Sequence, residues 1–296
     1  MSTAAVLFKR NTKLFFKDKA QFFTSLVTPA ILLVLYMTFL ANVFRDSFAA
    51  ELPEGIQIPE ALLRGLVGGQ LTSSMLAVSC VTVAFCSNFL MVQDKVTGSL
   101  RDFYVTPVKP SVLSVSYYAA SLLSTLLICF TALGICLIYL AAVGWYLSWS
   151  DVLYLGLDVT LLVLFGTAFS SVIHFFLSTQ GQISAVGTII SAGYGFICGA
   201  YMPISTFSTG LQKLLSFLPG TYATSLIRDH AMRGAIEEIG RQGVPAELIS
   251  SLRDSLDCNL FFFGTRVEPS VKYAVLVGSV LLLLAVYILQ NKLKKH

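Results

Sequence analysis

Gln93-Asp-Lys-Val-Thr-Gly-Ser-Leu-Arg-Asp-Phe-Tyr-Val-Thr-Pro-Val-Lys-Pro110 is a short charged island between two long stretches that carry no charge at all. Asp94, Lys95, Arg101 and Asp102 are costly in hydrocarbon, so this piece has to leave a bilayer that its flanks can enter. Read as a helix from about Asp94 to Tyr104, it puts Val96, Leu100 and Phe103 on one face by i, i+4, i+7 spacing, with the charges largely opposite. Thr106-Pro107 then stops it, because a residue before proline is pushed out of the α region. The expected shape is a short amphipathic helix standing off the membrane between two spanning helices.

Composition agrees with that setting. Of 296 residues, 55% are hydrophobic and 12% charged, and the mean hydropathy is +0.76. Soluble domains carry about 25% charged residues, so the chain reads as an all-α integral membrane protein. Working outward, uncharged runs predict six spans near residues 22–44, 66–92, 114–143, 152–175, 183–201 and 271–290, each long enough for about 30 Å of hydrocarbon. Pro29 marks an expected kink in the first span. The second is rich in Gly, Ser, Thr and Cys, which lets helices approach closely and places it inside the bundle. Before the first span, residues 4–20 set Lys9, Arg10, Lys13 and Lys17 against Leu7, Phe8, Leu14 and Phe15, the pattern of a basic helix lying in the headgroup layer.

Residues 203–233 break the alternation. Phe207, Leu211, Leu214, Leu215 and Leu218 keep helical spacing, Pro219-Gly220 turns, and Thr221 to Arg233 is helical again. Each half is too short to span. A re-entrant hairpin and two helices lying flat on the surface both fit. A polar segment, 234–269, follows, with a helix expected from Pro245 to Leu256.

Six spans leave both termini on one side. The N-terminal segment, the island and the tail together hold eleven Lys and Arg against three acids, while the opposite side holds nine against twelve. The positive-inside rule therefore puts both termini in the cytoplasm. Five of the six cysteines lie within spans and read as packing residues. Cys258 alone lies in an outer loop, where it is expected to react with a membrane-impermeant maleimide.

No chemistry-bearing constellation emerges. The chain contains no G-x-x-x-x-G-K-[ST], so no nucleotide cradle of that type, no H-E-x-x-H, and no G-x-S-x-G elbow. No catalytic, cofactor-binding or metal-ligating residues are assigned. His174, His230 and His296 are scattered, with His174 expected at the membrane interface. Asp158 is the one acid inside a span, about 9 Å deep at 1.5 Å per residue. It faces either the bundle interior or, on a tilted helix, the outer headgroups.

The order of parts resembles the ABC-2 type permeases, the membrane subunits of bacterial ATP-driven exporters of the daunorubicin-resistance, nodulation-factor and polysaccharide type. The resemblance spans essentially the whole chain. Its local signatures are Asp94-x-x-x-Gly98-Ser99-Leu100 with Thr106-Pro107-Val108, then Gly199-x-x-Met202-Pro203, and Leu218-Pro219-Gly220-Thr221-Tyr222 with Arg228 beyond. Asp94 stands where the family usually has glutamate, and Ser99 where threonine is common.

The resemblance implies a non-catalytic subunit of the bacterial inner membrane, with ATP and Mg bound only by a separate ATPase, present in two copies. It implies a second copy of this chain or a related permease, a lipid surround, no nucleic acid, and an amphiphilic, drug-like, lipid or lipid-linked cargo. It assigns residues 93–110, Asp94, Gly98 and Pro107 among them, to a coupling helix on the ATPase; the amphipathic pattern then has Val96, Leu100 and Phe103 filling a groove while Lys95, Arg101 and Asp102 set register at its rim. It assigns Asp158, Pro203, Leu214, Leu218, Pro219, Tyr222 and Arg228 to the pathway or its outer gate. A stand-alone secondary transporter or channel is the rival reading, but such proteins often show inverted repeats, and none is detectable here.

Overall fold

A run of apolar residues studded with Gly, Ser and Thr forms the helix against which the others pack. The structure, a computed structural model, describes residues 2–35, 38–39, 41–42 and 58–293. The side chains of Arg101 and Tyr104, the end of the expected first span and most of the loop after it lie outside the described residues.

Helix α1 (Thr3–Lys17) is followed by α2 (Lys19–Leu35). The central helix is α3 (Glu60–Ser87), continued by α4 (Phe89–Val96) and the short α5 (Ser99–Tyr104). Then come α6 (Pro110–Val143), α7 (Trp149–Phe176) and α8 (Gln180–Ile197). A 3-10 turn at Ile204–Thr206 leads to α9 (Thr209–Leu215), α10 (Pro219–Arg241) and α11 (Ala246–Ser255). A two-residue antiparallel hairpin, β1 (Phe261–Phe262) and β2 (Thr265–Arg266), precedes α12 (Pro269–Leu293). That hairpin is the one departure from an all-α chain among the described residues.

Among the described residues, four stretches are long and apolar enough to cross a membrane: Glu60–Val96, Pro110–Val143, Trp149–Phe176 and Pro269–Leu293. A fifth arises if α1 and α2, bent by 70°, count as one span. Over the most apolar 18 residues of each, Glu60–Val96 is 89% buried while Pro269–Leu293 is 22% buried. The span studded with Gly, Ser, Thr and Cys is thus inside.

Several boundaries move, each for an identifiable reason. The island at 93–110 is two helices, not one, because Gly98 adopts φ +82° and ends α4 with a left-handed turn. The third span starts at Pro110 instead of 114, since proline at the first helical position has no N–H to lose. Capping boxes at Ser148/Asp151 and Thr179/Gln182 start α7 and α8 three residues earlier than hydropathy indicates. Helix α2 runs through Pro29, and the bend falls near Asp18, between α1 and α2.

The largest change is in the hairpin region. Its second limb was expected to end at Arg233, before a glycine, yet α10 continues to Arg241. Gly234 does not stop this helix. It admits a close crossing, where an added Cβ would lie 1.8 Å from the Tyr146 carbonyl oxygen. Thr221 to Met232 is buried throughout, so this limb is interior and does not lie flat on a surface. In helix α1, Leu7, Asn11 and Phe15 are buried in protein, leaving Lys9, Lys13 and Lys17 exposed.

Candidate functional site

The charged island is built from a helix break. Asn88 interrupts the α3–α4 rod, and its amide donates to the Ser170 hydroxyl at 2.5 Å, the Ser171 hydroxyl at 2.8 Å and the Thr167 carbonyl at 3.4 Å. Its carbonyl accepts from the Ser121 hydroxyl at 2.9 Å. One buried side chain therefore ties α3, α6 and α7 together, with its hydrogen-bonding capacity well used. The sequence holds a signal for it: Asn is a poor interior residue for an apolar span.

From that break α4 projects with charges turned inward. Asp94 is buried and accepts from Arg10 at 2.7 and 3.2 Å and from the Tyr117 hydroxyl. The carboxylate raises the Arg10 pKa further above its ordinary value. Lys95 donates from Nζ to three carbonyls at the C-terminus of α7: His174 at 3.0 Å, Phe175 at 2.8 Å and Leu177 at 3.0 Å. A cation there satisfies orphan acceptors and opposes the helix dipole. Asp94 and Lys95 thus clamp α4 between α1, α6 and α7.

The apolar face of α5 also turns inward. Leu100 and Phe103 pack against a cluster of Leu7, Leu90, Met91, Leu113 and Tyr117, and the Arg10 guanidinium lies 5.1 Å over the Phe103 ring. Val96, on the other helix, points outward, as do Thr97, Asp102, Thr106 and Pro107. Val105 is 88% exposed. The amphipathic pattern was right in kind, but its apolar face is covered by the protein's own α1 and α6. The surface left for a partner centres on Val96, Asp102, Val105 and Pro107. Val105 was missed because it lies just past the helix, where periodicity carries no information.

The opposite end of the bundle holds a lattice of buried charge. Asp158 is fully buried, with His230 Nδ1 at 2.6 Å and the Tyr273 hydroxyl donating at 2.7 Å. Tyr154 stacks on His230 at 4.9 Å. Asp158 therefore faces the protein interior, as one partner of a buried pair. Arg228, also fully buried, donates to the Gly199 carbonyl at 2.7 Å, the Leu256 carbonyl at 3.2 Å and Asp257 at 3.3 Å. Asp257 in turn accepts from the Ile204 amide at 2.5 Å. The Gly199 and Arg228 signatures are thus two ends of one staple. A third set joins Asp151, Arg233, Asp229 and Arg253.

Of the other residues picked from sequence, Leu218 and Tyr222 share a cluster with Ile204, Leu215 and Leu260. The Tyr222 hydroxyl donates to the Ser216 carbonyl at 2.6 Å. Pro219 opens α10, Pro203 precedes the 3-10 turn, and Leu214 is exposed. His174 is buried between Phe85 and Phe89, with Nδ1 2.7 Å from the Ser170 carbonyl. Cys258 is 1% exposed, and burial pushes its thiol up to about 12. The reactive outer cysteine is therefore withdrawn, since only a thiolate attacks maleimide.

A groove of about 920 Å³ runs between α2, α8 and the start of α4, lined by Thr28, Ile31, Phe89, Thr188, Ser191 and Phe196 among others. Its hydroxyls contrast with the outward faces of α6 and α12, which show Leu127, Ile135, Ile138, Leu281 and Leu282.

Residues 3–231 match the family described as ABC-2 type transporter. No curated protein matches the chain.

Proposed function

The chain belongs to the ABC-2 type transporter family, and on that premise we propose that it is the membrane-spanning permease subunit of an ATP-driven exporter. The subunit crosses the inner membrane six times with both termini in the cytoplasm, takes energy from two copies of a separate ATPase that bind ATP and Mg, and works with a second copy of itself or a related permease. α2 and α8 supply the two spans beyond the four apolar ones.

The observation that carries this reading is the double clamp on α4. The Asp94 and Lys95 contacts bind one short segment to α1, α6 and α7 at once. A push on the exposed Val105 surface would reach three helices without bending the short segment, because packed elements transmit displacement instead of absorbing it. The hydroxyl-bearing groove beside α2 and α8 supports a route for an amphiphilic cargo on that side, since the outward faces of α6 and α12 are dominated by large apolar side chains.

The test is co-expression with a candidate ABC-type ATPase subunit. ATP hydrolysis is expected in the joint complex and absent from the purified chain. Turnover by the chain alone would remove the permease reading.

A further inference from the structure

The hairpin β1–β2 exposes three consecutive phenylalanines. Phe261, Phe262 and Phe263 all face outward, and Phe217 from the end of α9 joins them, its ring 5.3 Å from Phe262 and 5.8 Å from Phe263. Leu211 and Leu214 extend the same exposed apolar surface along α9. Nothing in the fold requires this. The core of the hairpin is made by Leu260 and Val267, which pack with Ile204, Leu215 and Tyr222.

The backbone makes the point more sharply. Phe263 sits at φ +48° and Gly264 at φ +85°, the two central positions of a tight hairpin turn. The first central position favours Asn, Asp or Gly, and a bulky side chain there is strained. Phe263 is 55% exposed, so its burial within the chain does not offset that strain. Such outliers point to function when the ring is displayed to something outside the fold.

Depth and charge identify what that is. Residue 266 ends the hairpin and α12, an apolar helix long enough to cross a membrane, begins at Pro269. Val275 of α12 packs beneath the same small core. The aromatic tip is therefore held at the level where α12 enters the bilayer, the depth at which aromatic rings concentrate. Lys213 lies 5.5 Å over the Phe263 ring, and Arg266 pairs in register opposite Phe261. Both cations are placed for lipid phosphates, with Glu268 the nearby acid in sequence.

We infer that the Phe217/Phe261–Phe263 cluster is a lipid-binding anchor, seated in the headgroup layer of the leaflet where α12 begins, with Lys213 and Arg266 on the phosphates. It would pin the α9–α10 segment to that leaflet.

The experiment uses the full chain in vesicles of phosphatidylcholine and phosphatidylglycerol. A nitroxide is attached at Thr265→Cys, beside the intact aromatics, in a Cys86→Ala background because the remaining cysteines are buried. Collision rates with oxygen and with a water-soluble nickel chelate are compared with those at Gln242→Cys, an exposed reference position at the far end of α10. The oxygen-to-nickel ratio at 265 is expected to be several-fold above that at 242. It should fall toward the 242 value in Phe262→Ser/Phe263→Ser and in Lys213→Glu/Arg266→Glu. A ratio equal to that at 242 would place the tip in water, and low collision with both reagents would mean that a second protein copy covers it. Either result, or a ratio indifferent to the Phe or the charge substitutions, overturns the anchor.

Discussion

Arg10 and Asp94, 84 positions apart in sequence, meet at 2.7 Å and join the N-terminal helix to the segment that carries the charged island. The pair is largely sheltered, with Arg10 still 29% exposed on its side chain and Asp94 7%. Breaking a buried pair from one side costs about 3–5 kcal/mol, and the partial exposure of Arg10 places this one toward about 2. Arg10→Met and Asp94→Leu should each lower the melting temperature in detergent. The double variant should recover part of the loss, because it leaves no unpaired charge. Strict additivity in that cycle would deny the coupling.

Docking of an ATPase should depend on Val105 and not on Leu100 or Phe103. Val105→Asp places a charge on the exposed surface, so the chain should fold normally but lose the ATPase on co-purification, at a cost above about 1 kcal/mol of binding. Leu100→Ala and Phe103→Ala remove internal contacts and should lower stability with ATPase binding retained. A pull-down and a thermal scan on the same samples separate the two. The reverse assignment would return the docking role to the inner face of α5.

Arg228 should be the most sensitive single position at the far end. Arg228→Met strands Asp257 and the Gly199 and Leu256 carbonyls, a loss of about 3–5 kcal/mol. Burial raises the Asp257 pKa above its ordinary value, while Arg228 pulls it back. A raised carboxylate stabilises the fold below the unfolded-state pKa, and that contribution is lost as pH rises through the folded-state value. Without Arg228 the folded value rises further. The deficit of the variant relative to the parent should therefore shrink as pH falls into the carboxylate range, as read by unfolding at neutral pH and near pH 4. A pH-independent deficit would mean that Asp257 is not the stranded partner.

Asp158 and His230 should behave as one unit. Asp158→Leu and His230→Leu each leave a buried polar group without its partner, at about 1–3 kcal/mol apiece, and the combination should cost less than the sum. Thermal melts of the three variants in one detergent decide it.

Topology should be read from Gln242→Cys, which is exposed, and not from native Cys258. With both termini cytoplasmic, a membrane-impermeant maleimide should label Gln242→Cys in intact cells. In a Cys86→Ala background the protein without the 242 substitution should remain unlabelled even at pH 8, because its remaining cysteines are buried and the Cys258 thiol, pushed up to about 12, supplies almost no thiolate. Labelling at 242 only after lysis would invert the orientation.

Hydropathy is a property of neighbours along the chain, and what depends on neighbours alone was legible in the sequence. The apolar runs at 66–92, 114–143, 152–175 and 271–290 announced spanning helices, and the Gly, Ser and Thr of 66–92 announced which one lies inside. The order of parts and the signatures around Asp94, Gly199 and Arg228 carried the family. Ends and facings were decided by tertiary structure. Gly234 reads as a stop until Tyr146 is found against it, and Gly98 divides a helix that periodicity had joined. Leu100 and Phe103 form an apolar face in either reading, and only the position of α1 shows that the protein itself covers it. Likewise, Asp94 and Lys95 look like solvated charges until Arg10 and the carbonyls at the end of α7 arrive from distant sequence. An amphipathic pattern specifies that one face will be buried; which surface buries it depends on residues that meet only in three dimensions.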